Sequence, residues 1–161
     1  MAEFKGLPWD QQRLRTPGVR CDKCDRLLKV YHRRLTALSV AGLARLYNLM
    51  RAKPQEKYHH VRDLGVSKNG GEFAQSRWWG FCEEAPKDKD KDTRTSGMWR
   101  LTDFGIRFLK LQVDVPLCAV IRWNSTHIGF SGELINARDA LHHKNKFSYE
   151  ELMGTDAAPW F

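Results

Sequence analysis

Four cysteines and six histidines carry the most distinctive chemistry of this chain, and two of the cysteines have an informative spacing. Cys21 and Cys24 form a C-x-x-C motif, which places two thiolates where they form half of a tetrahedral Zn²⁺ site. A redox-active pair is disfavoured because no strand is predicted before the motif and no βαβ pattern surrounds it. We therefore treat Cys21 and Cys24 as candidate zinc ligands, with a reduced, metal-free pair as the alternative.

The remaining half of such a site is not selected by the sequence. A structural zinc ion takes about four ligands, and no second C-x-x-C motif is present. The residues of suitable type elsewhere in the chain are His32, His59, His60, Cys82 and Cys118. A disulfide framework is disfavoured because the chain is long and its amino-terminal residues lack the apolar centre of a secretory signal.

Motifs of known catalytic chemistry are absent from the sequence. It contains no G-x-S-x-G, no phosphate-binding glycine loop and no H-E-x-x-H. The adjacent histidine pairs, His59-His60 and His142-His143, point in different directions on a helix or strand and are poorly placed to chelate together. We therefore expect a protein that is not an enzyme.

Charge is distributed unevenly along the 161 residues, which carry 27 Lys and Arg against 19 Asp and Glu, a net charge of +8. Residues 1–60 hold 13 basic and 5 acidic side chains, whereas residues 111–161 hold 4 and 6. A basic segment of this kind indicates a polyanionic partner, with nucleic acid the first candidate. The alternative is that the charge only keeps the protein in solution. No apolar run approaches the roughly 20 residues that cross a bilayer, so we expect a cytoplasmic protein without a membrane partner.

Residues 36–111 show the clearest pattern of secondary structure. Apolar residues at steps of three or four predict a helix of about four turns that begins near Leu35 and ends before Pro54. The elements expected after it are, in chain order, a short element at 58–66, a turn at 67–71, a helix at 72–79, a strand at 81–85, a charged loop at 86–97, a strand at 98–101 and a helix at 104–111.

This order is that of a winged helix-turn-helix domain. The run W-R-L-T-D-F-G-I-R-F-L at residues 99–109 resembles the Y-x-L-T-x-x-G segment of bacterial transcription regulators such as the MarR and PadR families. In this pattern Thr102 caps the closing helix, and Gly105 lets that helix approach the sheet closely. The whole chain is also similar to small proteins of tailed bacteriophages in which a C-x-x-C motif precedes such a domain.

The patterns along the chain predict an α+β fold in three parts, and the winged-helix resemblance covers residues 36–111. We expect a basic N-terminal arm with the C-x-x-C knuckle (residues 1–35), a winged-helix core (residues 36–111) and a small C-terminal lobe (residues 112–161). The lobe is predicted to contain a β-hairpin over residues 116–130 and helices at 136–141 and 149–153, the last with a capping box formed by Ser148 and Glu151. Such a lobe buries little surface alone, so it is expected to pack on the core or on a second copy in a homodimer.

These observations favour a non-enzymatic DNA-binding regulator. It is expected to act on double-stranded DNA in the cytoplasm of a bacterial host cell. Asn and Gln can read adenine and Arg can read guanine in the major groove. The candidate contacts are Lys68, Asn69, Gln75, Ser76 and Arg77 in and before the reading helix, Arg94 in the wing, and Arg33 and Arg34 in the basic N-terminal part.

The competing hypothesis is a protein-binding adaptor or inhibitor of a host protein, built on the same scaffold. Residues 87–94 alternate Lys with Asp and carry a net charge of only +1, whereas a wing that follows phosphates normally avoids carboxylates. The slightly acidic C-terminal third and the aromatic tail favour this second hypothesis as well. A fold by itself does not decide between the two functions.

Overall fold

The computed structural model describes residues 19–25, 27–65, 71–86, 97–122 and 126–154. Within them the fold is a mixture of α-helices and small antiparallel sheets, so the α+β expectation is confirmed at that level. The helices of the described segments are α1 (Ala37–Ala52), α2 (Gly71–Gln75), α3 (Asp103–Leu109), α4 (Ala137–His142) and α5 (Tyr149–Met153). The strands are β1 (Val19–Arg20), β2 (Leu27–Leu28), β3 (Val30–Arg34), β4 (His59–His60), β5 (Cys82–Glu84), β6 (Met98–Leu101), β7 (Val115–Arg122) and β8 (His127–Ile135). None of the helices in these segments is both long enough and apolar enough to cross a lipid bilayer.

The chain divides into two compact units, and the division differs from the predicted one. One unit combines the chain up to Leu35 with Pro116–Leu134, and the other combines Thr36–Val115 with the chain from Ile135 onward. The predicted lobe of residues 112–161 is therefore not a single unit. Its hairpin belongs with the N-terminal strands, and its helices belong with the segment that begins at Thr36.

The first unit is built on a three-stranded antiparallel sheet in the order β3-β7-β8. Strand β3 pairs with β7 over five residues, from Val30 opposite Arg122 to Arg34 opposite Cys118. Val30 and Val120 are buried and pack with Ile128. Strands β1 and β2 form a separate two-stranded ribbon that flanks the two neighbouring cysteines. The five-residue pairing explains why the hairpin groups with β3 rather than with the C-terminal helices.

Helix α1 is the centre of the second unit. Its side chains at Val40, Leu43 and Leu46 are fully buried, and its N-terminus is capped by Thr36, whose hydroxyl oxygen accepts a hydrogen bond from the Ser39 amide at 3.1 Å. The predicted four-turn helix is confirmed. The C-terminal helices pack on it, and the Asn48 side chain donates a 2.8 Å hydrogen bond to the carbonyl of Leu152.

The second sheet has the order β4-β6-β5 and is antiparallel throughout. A 3₁₀ turn, Val61–Leu64, follows β4 and ends at Gly65 in the left-handed conformation. Helix α3 follows β6 directly, and Thr102 caps it by accepting a 3.1 Å hydrogen bond from the Gly105 amide, as predicted. A Cβ atom at Gly105 would lie 2.1 Å from the carbonyl oxygen of Phe81. The expectation that Gly105 permits a close approach of this helix is therefore confirmed.

Candidate nucleic-acid interface and cysteine knuckle

The segment from Gly71 to Trp79 changes its helical type midway. It begins as helix α2 and continues as a 3₁₀ helix over Ser76–Trp79, which ends at Gly80 with a φ of 77°. A 3₁₀ helix has three residues per turn, so side chains three positions apart share a face. Phe73, Ser76 and Trp79 have this spacing, and their exposed fractions are 0%, 0% and 6%. These three residues form the face that docks the segment on the rest of its unit.

Aromatic packing fixes that docked face. The ring of Phe73 meets Trp99 edge to face with 5.6 Å between centroids, and Trp79 stacks on Phe81 at 6.2 Å. At the beginning of the segment, the Ser39 hydroxyl donates a 2.8 Å hydrogen bond to the carbonyl of Glu72. The segment is thus held at both ends, which defines the side it turns outward.

Of the DNA contacts predicted in this helix, the structure leaves two accessible and removes one. Arg77 is exposed, and it forms no salt bridge within the described part of the chain. Gln75 is partly exposed. Ser76 is buried, where its hydroxyl donates a 2.6 Å hydrogen bond to the carbonyl of Phe73 and lies 3.3 Å from the Cys82 sulfur. The prediction that Ser76 contacts DNA is therefore withdrawn, because this side chain has no accessible surface.

Three further predicted contacts, Lys68, Asn69 and Arg94, lie outside the described residues. The strands at the base of the charged loop are described. There Arg100 on β6 forms a salt bridge with Glu83 on β5, so these two side chains contribute no net charge.

Arg33 and Arg34 lie on strand β3, which is an edge strand of its sheet. Both side chains are exposed, and they extend to opposite faces because successive residues of a strand alternate. Tyr31 shares the face of Arg33, with the guanidinium carbon 5.3 Å from the ring centroid and the Lys29 ammonium 5.5 Å from it. The aromatic member of this basic strip was missed in the sequence, although the alternation of Lys29, Tyr31 and Arg33 was a signal for it.

Cys21 and Cys24 are free thiols in the connection between β1 and β2. The Asp25 amide donates a 2.9 Å hydrogen bond to the carbonyl of Cys21, which closes a tight turn around the pair. Hydrogen bonds from the backbone amides of Lys23 and Cys24, together with one from the Cys24 thiol, lower the pKa of Cys21. The turn is therefore arranged to favour a thiolate at Cys21.

The other candidate metal ligands do not complete a site with this pair. All cysteines and histidines of the chain lie in the described segments, and within those segments no three residues of the types His, Cys, Asp and Glu are grouped so as to hold a metal ion. Burial raises the pKa of Cys82 to about 11, and burial is also the main cause of the raised pKa of Cys118. His59 is buried with its Nδ1 3.5 Å from a Glu56 carboxylate oxygen.

No family model, curated protein or solved structure matches this chain. Its function is therefore inferred from the geometry given above: Gln75 and Arg77 on one helical segment of the second unit, and the basic strip and the cysteine pair in the first unit.

Proposed function

We propose that this chain is a non-enzymatic DNA-binding protein that reads the major groove with the segment Gly71–Trp79 of a winged helix-turn-helix. Contacts to the phosphates come from its basic N-terminal part, including Arg33 and Arg34. In this proposal it acts as a regulator in the cytoplasm of a bacterial host cell, as the resemblance to bacteriophage proteins implies.

The observation that carries the proposal is the order of elements in the second unit. Helix α1, strand β4, a 3₁₀ turn, the segment Gly71–Trp79, strand β5, a long charged connection, strand β6 and helix α3 follow one another, and β6 lies between β4 and β5. A winged helix-turn-helix has the same order, with the second helix of its helical pair presented to DNA.

Arg77 supports the same proposal by its accessibility. An exposed guanidinium without a carboxylate partner among the described residues is free to form paired hydrogen bonds with O6 and N7 of guanine. Gln75, two positions earlier and partly exposed, carries the amide that pairs with adenine. The buried face of Phe73, Ser76 and Trp79 holds both residues on a rigid support.

Charge supports a polyanionic partner. The formal charge of the chain is +8, and the excess lies in residues 1–60. Each phosphate that a cationic side chain neutralises releases a counterion, so binding to a duplex is expected to weaken steeply as salt is added.

Fluorescence polarisation with a labelled duplex, repeated at several salt concentrations, tests the proposal. Arg77→Ala is expected to weaken binding about 10-fold or more and to change the sequences enriched from a random duplex pool, because one paired base contact contributes about 1–3 kcal/mol. Arg107→Ala is the matched control, since it removes another exposed guanidinium, that of helix α3. Absence of duplex binding at low salt, or equal effects of the two variants, would overturn the proposal in favour of the adaptor.

A further inference from the structure

The connection between β1 and β2 holds the two cysteines in a fixed hairpin. Arg20 pairs with Leu27 in the ribbon, and the Arg20 guanidinium donates a 2.9 Å hydrogen bond to the carbonyl of Asp25. The same guanidinium lies 3.6 Å from the Asp25 carboxylate. Asp25 has a φ of 57°, in the left-handed region that allows the chain to reverse directly after Cys24. We call residues 20–25 the cysteine knuckle.

The spacing of this knuckle is that of a metal-binding half-site. The turn closed by the Asp25 amide, which donates a 2.9 Å hydrogen bond to the Cys21 carbonyl, keeps Cys21 and Cys24 on one short connection. Two thiolates on one tetrahedral zinc ion, each with a Zn–S distance of about 2.3 Å, are themselves about 3.8 Å apart.

The knuckle is nevertheless only half of a site. A structural zinc ion binds about four protein ligands, and none of the chain's other cysteines or histidines, all of which are described, joins Cys21 and Cys24 in a group of three. Cys24 is exposed and Cys21 is partly exposed, so both sulfur atoms are accessible from outside the chain.

We propose that two copies of this chain share one zinc ion, with Cys21 and Cys24 of each copy as its four ligands. A second copy supplies an identical pair of thiolates in the same geometry, so the tetrahedral site closes about a two-fold axis with no ligand left over. The proposal does not depend on DNA binding.

Electrostatics permit the two knuckles to approach each other. Arg20 and Lys23 balance Asp22 and Asp25, so these side chains add no net repulsion between copies. The four thiolates and one Zn²⁺ together carry two negative charges, and because the other side chains of residues 20–25 sum to zero, this is the net charge of the two joined knuckles. A knuckle with acidic side chains only would have opposed such a centre.

The experiment uses the whole 161-residue chain, kept reduced with a phosphine and loaded with zinc. Light scattering after size exclusion measures the mass, and elemental analysis of the same peak measures the metal. We expect a dimer with about one zinc ion per two chains, which a strong chelator converts to a metal-free monomer. Zinc added back is expected to restore the dimer.

Two variants sharpen the result. Cys24→Ser removes an exposed ligand and is expected to lower the zinc content at least 10-fold and to leave a monomer with an unchanged circular dichroism spectrum. Cys118→Ser is the matched control, since it changes a partly buried thiol of the same unit, and it is expected to retain both the metal and the dimer.

Cobalt provides an independent readout of the ligand set. In the cobalt-loaded dimer, the near-ultraviolet charge-transfer absorption per metal ion is expected to correspond to four thiolates rather than two. One zinc ion per monomer, no zinc at all, or a dimer that survives both the chelator and Cys24→Ser would overturn the proposal. None of these results changes the prediction for Arg77→Ala on DNA.

Discussion

Gly105→Ala tests most directly how helix α3 is held against the strands that support the candidate DNA-reading segment. Gly105 is buried in the first turn of α3, and an added Cβ would lie 2.1 Å from the Phe81 carbonyl oxygen, whereas real Cβ atoms stay beyond about 3.0 Å. The obstacle is a backbone atom that cannot rotate away, so the helix itself must withdraw by about 1 Å.

The size of the effect follows from what that withdrawal disturbs. The same Phe81 carbonyl accepts a 3.0 Å hydrogen bond from the Thr102 amide, and the Phe81 ring stacks on Phe108 with 4.4 Å between centroids. Overpacking costs about 1–3 kcal/mol, and a weakened hydrogen bond about 1 kcal/mol more. The higher helix propensity of alanine offsets about 1 kcal/mol of this cost. Because the atom in the way belongs to the backbone, we place the overpacking cost at the upper end of its range. The expected net loss in the free energy of unfolding is therefore about 3 kcal/mol.

Thermal unfolding followed by circular dichroism measures this loss. For a chain of this length it corresponds to a fall in Tm of about 6–12 °C. Gly71→Ala is the control, because Gly71 is also helical and no atom lies within 4 Å of its added Cβ, so the protein is expected to be unchanged or up to about 1 kcal/mol more stable. If the two variants unfold within a degree of each other, the close approach of α3 to Phe81 is refuted.

Two further predictions concern buried polar groups of the second unit. The Tyr149 hydroxyl donates a 2.6 Å hydrogen bond to the carbonyl of Leu109, so Tyr149→Phe is expected to lower the free energy of unfolding, measured in urea, by about 1–2 kcal/mol. The control Tyr58→Phe, at a half-buried ring beside Arg100, is expected to lower it by much less. Equal losses in the two variants would contradict the role of the Tyr149 hydrogen bond. Burial raises the pKa of Cys82 from 9.0 to about 11, so the folded state favours the neutral thiol. As the pH rises from 9 to 11, the free energy of unfolding of the wild-type protein should therefore fall by up to about 3 kcal/mol relative to that of Cys82→Ala, with no relative change below pH 9. Parallel pH profiles of the two proteins would exclude this effect.

Local signals predicted the helices and their caps well. Pro54 and the apolar period predicted α1, and Ser148 predicted the beginning of α5, whose bounds of Tyr149 and Met153 are confirmed. One half of the predicted capping box is present, since the Glu151 amide donates a 3.4 Å hydrogen bond to the Ser148 hydroxyl. The same hydroxyl donates to a Glu150 carboxylate oxygen at 3.3 Å. Caps depend on a few neighbouring residues, which is why the sequence reveals them.

Pairing between distant strands could not be predicted in the same way. Val30 lies opposite Arg122 across more than ninety positions of sequence, and no local pattern links the two segments. Periodicity tells which residues of a strand share a face but does not identify the partner strand. The division into three consecutive parts was drawn from local patterns alone, so it missed the unit that β3 forms with β7.

The error at Ser76 has a narrower cause with a consequence for recognition. Residues three positions apart share a face of an α-helix, so Ser76 lies on the same side as the buried Phe73, and the change to a 3₁₀ helix brings Trp79 onto that side as well. Of the base contacts predicted within this segment, those of Gln75 and Arg77 therefore remain accessible. Two such contacts supply only part of the roughly 4–10 kcal/mol that separates specific from non-specific DNA binding. Under the DNA-binding proposal, affinity must then come largely from phosphate contacts, and the slope of log K against log salt should exceed what one arginine accounts for.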